Sequence, residues 1–319
     1  MSTPSSPSPP APLVGFLPTR ADALPAEQAA KVGAVLRKIP PPPRALRQLV
    51  SADFIEQASA ADMADLVMGE PLVAAKVLAA VNSPVYGLRQ PVASVSQAIT
   101  FLGTGAVRTI CLRHMTNLSF KNAVKLGRRV LDTLDTLDAA GGIAGALCMR
   151  LARPLRLPDA DALATRVVIS FVGHLAATIF QGVTNAPEDA VAAGPLLLRL
   201  RLQEMHWGMS AGALGQLLLR EWQLPPELAE ESWALESVLY TPLAEAPPRQ
   251  AAAMAVGYLC ARLGERLACG LPMDPKALDE AFAQDPDLHH VRGYITGLPE
   301  LAALPALLHD PRTMEGLAG

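Results

Sequence analysis

Aromatic side chains make up only 4 % of the 319 residues, too few for sheets built from aromatic and β-branched residues. Half of the chain is hydrophobic, and alanine and leucine carry most of it, the composition of helices packed on helices. An all-α fold with an ample core is therefore expected. Cysteine is sparse too: Cys111, Cys148, Cys260 and Cys269 are scattered without a C-x-x-C pair. That excludes a disulfide framework and a zinc ribbon, and leaves buried free thiols. No uncharged apolar run is long enough to span a bilayer; residues 167–180 come closest, and they contain His174. No basic residue precedes Arg20 and no apolar run precedes a small-residue cleavage site, so the sequence predicts neither a secretory signal nor a membrane segment, and a cytoplasmic location.

Chemistry-bearing signatures are missing as well. There is no G-x-S-x-G elbow, and Gly103-Thr104-Gly105 neither follows a strand nor ends in Lys-Ser/Thr, which excludes a nucleophile elbow and a phosphate-cradling loop. No internal repeat of fixed period occurs. Acidic residues are absent between Pro71 and Leu131, although Lys76, Arg89, Arg108, Arg113, Lys121, Lys125, Arg128 and Arg129 lie there. Further on, acidic residues such as Glu188, Asp189, Glu204, Glu221, Glu227 and Glu230 outnumber basic ones, in a chain whose formal net charge is only −3. This asymmetry would steer an anionic partner or make two faces of a self-association complementary; the plain alternative is ordinary solvated faces.

What is present is helix punctuation. Residues 1–25 begin Ser/Pro-rich and read as a disordered tail. A helical domain follows over residues 26–300, with an N-terminal subdomain of about 26–120 and a core of about 121–300, then a tail over 301–319. Helices are predicted over 26–37, 44–50, 60–68, from Pro71 to Val81, and from Ser94 to Leu102. Pro71 opens the fourth of these at a position where a missing N–H is harmless. Asn82, Ser83 and Pro84 stop it. Ser94 and Gln97 spell a capping box, and Gly103 supplies a left-handed end. Further helices are predicted over 106–118, 123–152 with a break at Gly141-Gly142, 161–181, 196–207, 209–222 and 249–264, then short ones between prolines beyond Pro272.

Pro40 and Pro43, then Glu70-Pro71 leading to Leu78, Val81-Asn82-Ser83, Tyr86-Gly87 and Leu102-Gly103 together resemble the start of the HDOD family, the HD-related output domain of bacterial signalling proteins. Glu70 stands where that family has aspartate and Val81 where it has alanine. A second match, Glu204, Gly208, Gly215, Leu217, Leu218, Trp222 and Leu224-Pro225, resembles its Glu-x-x-x-Gly … Trp-x-Leu-Pro helix. The resemblance implies one all-helical domain that relays signals through a response regulator or a diguanylate cyclase-type protein.

Active HD relatives hold one or two metal ions with histidines and aspartates. Aligned on Val172-Gly173, their adjacent His-Asp pair falls here on Ser170-Phe171; aligned on Gly208 and Gly215, later ligands fall on Ala211, Glu236 and Ser237. Phenylalanine and alanine offer no donor atoms. The resemblance thus implies no catalytic residue, no metal and no cofactor, and a protein–protein interaction module. Two other readings are weighed. Arg108, Arg113, Lys121, Lys125, Arg128 and Arg129 would bind an anionic ligand, nucleic acid or a cyclic dinucleotide. Alternatively, Asp132, Asp135 and Asp138 with His174 would form a residual hydrolase site, against the simpler reading of a solvated helix edge paired with Arg128 and Arg129.

Overall fold

The computed structural model describes residues 13–83, 86, 88, 90–123, 127–184 and 194–317. Residues 1–12 of the expected tail, and Pro84, Gly87, Arg89, Lys125, Glu188 and Asp189, lie outside these. Among the described residues there are seventeen α-helices and no strand. In chain order they are α1 (Ala26–Leu36), α2 (Arg44–Leu49), α3 (Ala52–Gln57), α4 (Ala60–Met68), α5 (Pro71–Val81), α6 (Val95–Leu102), α7 (Thr104–Lys121), α8 (Arg128–Ala152), α9 (Ala160–Thr184), α10 (Leu196–Trp207), α11 (Ala211–Glu221), α12 (Pro226–Ser237), α13 (Ala251–Ala268), α14 (Pro275–Gln284), α15 (His289–Gly297), α16 (Leu304–His309) and α17 (Pro311–Met314).

The core is organised around α9, which packs against α7, α8, α11, α12 and α13. It is apolar nearly all round, so it has no solvent face to offer. Its segment Ala160–Gly182 is long and apolar enough to cross a membrane, yet 89 % of its most apolar window is buried inside the fold. That is where the central helix of a helical domain places its hydrophobic surface. The α8–α13 contact is the most extensive. A Cβ on Gly264 would lie 2.6 Å from the Ala140 carbonyl oxygen, so the small residues of α8 serve close approach. Accordingly α8 runs unbroken through Gly141-Gly142; the glycines narrow the helix without ending it.

An N-terminal layer of α4, α5 and α6 rests on α7. Ser59 and Asp62 cap α4 reciprocally. Ser94 accepts from the Gln97 N–H at 3.2 Å, one half of the expected box. The Asn82 side chain ties the loop after α5, donating to the Leu78 and Val92 carbonyls at 2.9 and 2.8 Å and accepting from the Val92 N–H at 2.7 Å. That loop carries Tyr86, whose ring meets Phe101 edge-on at 5.7 Å. Gly103 adopts φ +83 with ψ 158, a positive-φ but extended conformation rather than the left-handed helical one, and turns the chain by 116° between α6 and α7. Gly208 is the left-handed cap, at φ 67 and ψ 20 on the end of α10.

Both expected tails pack onto the body where they are described. Leu13, Ala21 and Leu24 are buried, so the ordering entropy of residues 13–25 is offset by side chains that composition alone undervalued. At the other end Leu301, Leu304, Leu308 and Leu317 are buried. Arg150 on α8 donates to the carbonyls of Arg312, Thr313 and Glu315 at 3.2, 3.0 and 2.7 Å, satisfying a helix end that would otherwise lack donors.

Candidate functional site

The positions aligned with metal ligands sit where α9, α11 and α12 converge. Here α9 and α11 touch backbone to backbone: a Cβ on Gly173 would lie 2.2 Å from the Ala211 carbonyl oxygen, and one on Gly215 would lie 3.0 Å from the Gly173 Cα. Only glycine at these two positions allows that approach. Phe171 is buried, its ring centroid 6.2 Å from that of His174 and the planes 64° apart. Ala211 is buried and donates its N–H to Gln203 at 2.7 Å. The hydroxyls of Ser170 and Ser237 each donate to a carbonyl one turn back, on Val167 and Ala234, at 2.7 Å.

Of these five positions Ser170 and Glu236 border a cavity of about 30 Å³, joined by His174, Ser232, Gly212 and Trp233. A volume of that order holds a water or two. The Glu236 Oε1 and Ser232 hydroxyl have no protein partner, which suits such a water. Among the described residues no group of three or more His, Cys, Asp or Glu is arranged to hold a metal ion, and of the aligned positions Phe171 and Ala211 offer no donor atom. In the sequence His174 has no second ligand at i+3 or i+4, which are Ala177 and Thr178. The fold gives it a carboxylate neighbour, with its Nε2 3.8 Å from Glu236 Oε2, a long-range pairing that no local spacing announces.

Burial governs this pair. It pushes Glu236 up to about 7 and, with Arg199 adding repulsion, His174 down to about 3. Behind them lies a charged cluster that sequence reasoning missed. Arg199 on α10 and Arg262 on α13 both donate to one oxygen of Glu265, at 2.5 and 2.7 Å. Burial alone would raise Glu265, but the two guanidinium groups outweigh it and hold the carboxyl at about 2. Arg199, Arg262 and Glu265 also line a second cavity of about 220 Å³, with Thr133, Arg266 and Asp287. Asp287 accepts from the N–H groups of Leu196 and Leu197 at 2.5 and 2.9 Å, capping α10 from a distant part of the chain. The only sequence signal was Arg262 and Glu265 as an i, i+3 pair, followed by Arg266, on a helix with no other charge.

The cationic candidates do not form one surface. Arg108 is a correction: it is buried on α7, where its Nη2 donates to the Phe54 carbonyl at 3.3 Å and burial lowers its pKa. Its helix face points into the core, and the long side chain follows. Arg113 lies 3.3 Å from Asp138, and Lys121 pairs with Asp135. Asp135 and Asp138 of the acidic ladder on α8 thus meet the cations of α7. Arg128 and Arg129 are exposed at the start of α8, and Lys125 lies outside the described residues. His206 is exposed, and His289 and His290 are half-buried against each other, with ring centroids at 4.9 Å.

The motif residues act as structural punctuation. Pro40 and Pro43 flank the turn into α2. Pro71 is the first residue of α5. Ser83 closes a turn by donating its N–H to the Ala80 carbonyl at 3.1 Å. Buried Trp222 packs on Phe120 at 5.7 Å, and Pro225 precedes α12.

Comparison with curated proteins finds no match. Among solved structures the chain is similar to an HDOD domain protein of unknown function from Geobacter sulfurreducens, at 16 % identity over 90 % of this chain and 98 % of that one, with a TM-score of 0.58. A candidate phosphohydrolase from Shewanella amazonensis SB2B matches at 16 % identity over 91 % and 98 %, TM-score 0.53. A candidate signal transduction protein from Marinobacter aquaeolei VT8 matches at 15 % over 89 % and 66 %, TM-score 0.50. Identities this low establish the shared fold. The HDOD domain model matches residues 39–235, more than half of the sequence, and the chain belongs to the HDOD domain family.

Proposed function

We propose that this HDOD chain is a non-catalytic signal-transduction module that acts in the cytoplasm by binding another signalling protein, of the response-regulator or diguanylate-cyclase type. The observation that carries the reading is the set of side chains at the positions aligned with the ligands of active HD relatives: Phe171 and Ala211 are buried and apolar, and the Ser170 and Ser237 hydroxyls donate within their own helices. Hydrolysis of a phosphate ester through a bound ion needs several imidazole and carboxylate donors converging on one point, and the packing here favours fold integrity instead. The name of the Marinobacter relative, a candidate signal transduction protein, agrees with this reading.

Support for protein contact comes from the N-terminal layer. Met68, Leu72, Tyr86 and Phe101 expose large apolar side chains on α4, α5, α6 and the loop between them, and exposed apolar area of this kind serves association. Co-purification of the chain with each response regulator and diguanylate cyclase of its source organism tests the reading. Retention of one of them, lost on Leu72→Asp and Phe101→Asp substitution, is expected. Retention of none, together with phosphodiester hydrolysis dependent on manganese or iron, would replace the module with an enzyme.

A further inference from the structure

Residues 13–24 cross α10, α11 and α12 as a strap, and its contacts have one chemical sense. The Thr19 N–H and hydroxyl donate to the two oxygens of Glu204 at 2.7 and 2.8 Å. The Arg20 guanidinium pairs with Glu230 and lies 5.6 Å above the Trp233 ring. The Ala21 N–H points at the Gln216 carbonyl oxygen at 3.4 Å. Gln216 is held for this task, since its amide donates to Glu230 at 3.1 Å. The groove atoms that the strap itself meets are acceptors or an aromatic face, while Arg220 Nη2 lies 3.6 Å from the other Glu230 oxygen, so the groove selects an extended segment rich in donors with a cation at its centre.

The strap is anchored by Leu13, Ala21 and Leu24, which are buried, but its charged contact is light. The Arg20 and Glu230 side chains are 42 % and 45 % exposed, and ion pairs exposed to that degree contribute about 0–1 kcal/mol. Val14 and Leu17 remain exposed, so part of the strap's apolar surface gains nothing from lying there. Leu13 and Leu24 are buried at its two ends, and between them the polar contacts around Thr19 and Arg20 are the part that opens at a free energy below global unfolding. Its removal would also reach the site described above, because Gln216 and Trp233 both border the cavity at Glu236.

We propose that the acidic groove formed by Glu204, Gln216, Glu230 and Trp233 is a docking site for an extended, arginine-bearing peptide segment of a partner protein, and that residues 18–21 of this chain occupy it in cis until displaced. The inference rests on the protein-contact function proposed above and names the chemistry of the partner.

The test uses the full chain and a fluorescent peptide of residues 13–24, followed by anisotropy. Arg20→Glu repels Glu230 and frees the groove. This variant is expected to bind the peptide about tenfold more tightly than the wild type does, and adding Glu204→Ala should return binding to the wild-type level. Equal affinity of wild type and Arg20→Glu, binding to neither at millimolar peptide, or binding indifferent to Glu204→Ala would overturn the proposal. Hydrogen exchange on the wild type needs no variant: the Thr19 and Ala21 amides should exchange orders of magnitude faster than those at the centre of α9, and equal protection would overturn it too. A chain that shows the expected peptide pattern yet hydrolyses phosphodiesters would retire the functional reading and keep the groove. An inactive chain without that pattern would retire the groove alone.

Discussion

Glu236 and His174 face each other from α12 and α9 with 3.8 Å between their nearest polar atoms, but at neutral pH they are not an ion pair. A carboxyl raised to about 7 and an imidazole lowered to about 3 leave the histidine neutral and the glutamate half-protonated. For Glu236, raised above its unfolded value, the stability contribution is complete below about pH 4.5 and is lost as pH rises towards 7. For His174, lowered, the contribution is lost as pH falls from 6.5 towards 3, so the two oppose each other across the range they share. Glu236→Gln removes only the first. Its stability relative to wild type should therefore rise between pH 4.5 and 7, by up to about 3 kcal/mol, as read by denaturant melts at several pH values; a difference independent of pH would refute the assignment. Gly173→Ala is expected to cost about 3 kcal/mol or more by overpacking against a backbone oxygen. On the same helix Gly182→Ala meets only Val130 Cγ2 at 3.5 Å and should stabilise by about 0.5–1 kcal/mol. Similar effects of the two substitutions would mean that α9 and α11 do not touch as described.

At the scale of elements, α10 is held from two sides. Asp287 caps its first turn, and Arg199 from its body joins Arg262 on the single carboxylate of Glu265. Removing one member of a buried charge cluster leaves the others uncompensated. Glu265→Leu should therefore cost about 3–5 kcal/mol, whereas replacing Arg199, Arg262 and Glu265 together by apolar residues should cost much less. Chemical denaturation of the single and triple variants decides it, and a triple variant as unstable as the single would contradict the argument. Helices with local punctuation were legible in the sequence: Pro71 opens α5, Asn82 ends it, Ser94 opens α6. The second cavity was not legible, because its walls come from α8, α10, α13 and the residues around Asp287, and no local spacing encodes a meeting of distant helices. Arg108 misled for a related reason. A stretch without acidic residues looks cationic in sequence, but a helix turns one of its arginines inward and lends two other cations to the next helix.

For the whole molecule, family and fold could be read from two motif blocks, while the ends could not. Beyond 300 the buried Leu301, Leu304 and Leu308 stand at helical spacing but are interrupted by Pro305 and followed by Pro311, and from Leu13 onward the buried Leu13, Ala21 and Leu24 follow no period, so neither end announces the body it packs on. What the molecule does follows from how it is filled. Phe171 and Ala211, buried and without donor atoms at the aligned ligand positions, are the ground on which the proposed function is assigned to the surfaces of the molecule. The most direct test is metal analysis of protein expressed with added manganese and iron, paired with a phosphodiester hydrolysis assay on the same sample. The account predicts metal far below one equivalent and no hydrolysis above buffer; one or two equivalents bound, with turnover abolished by a chelator, would contradict it.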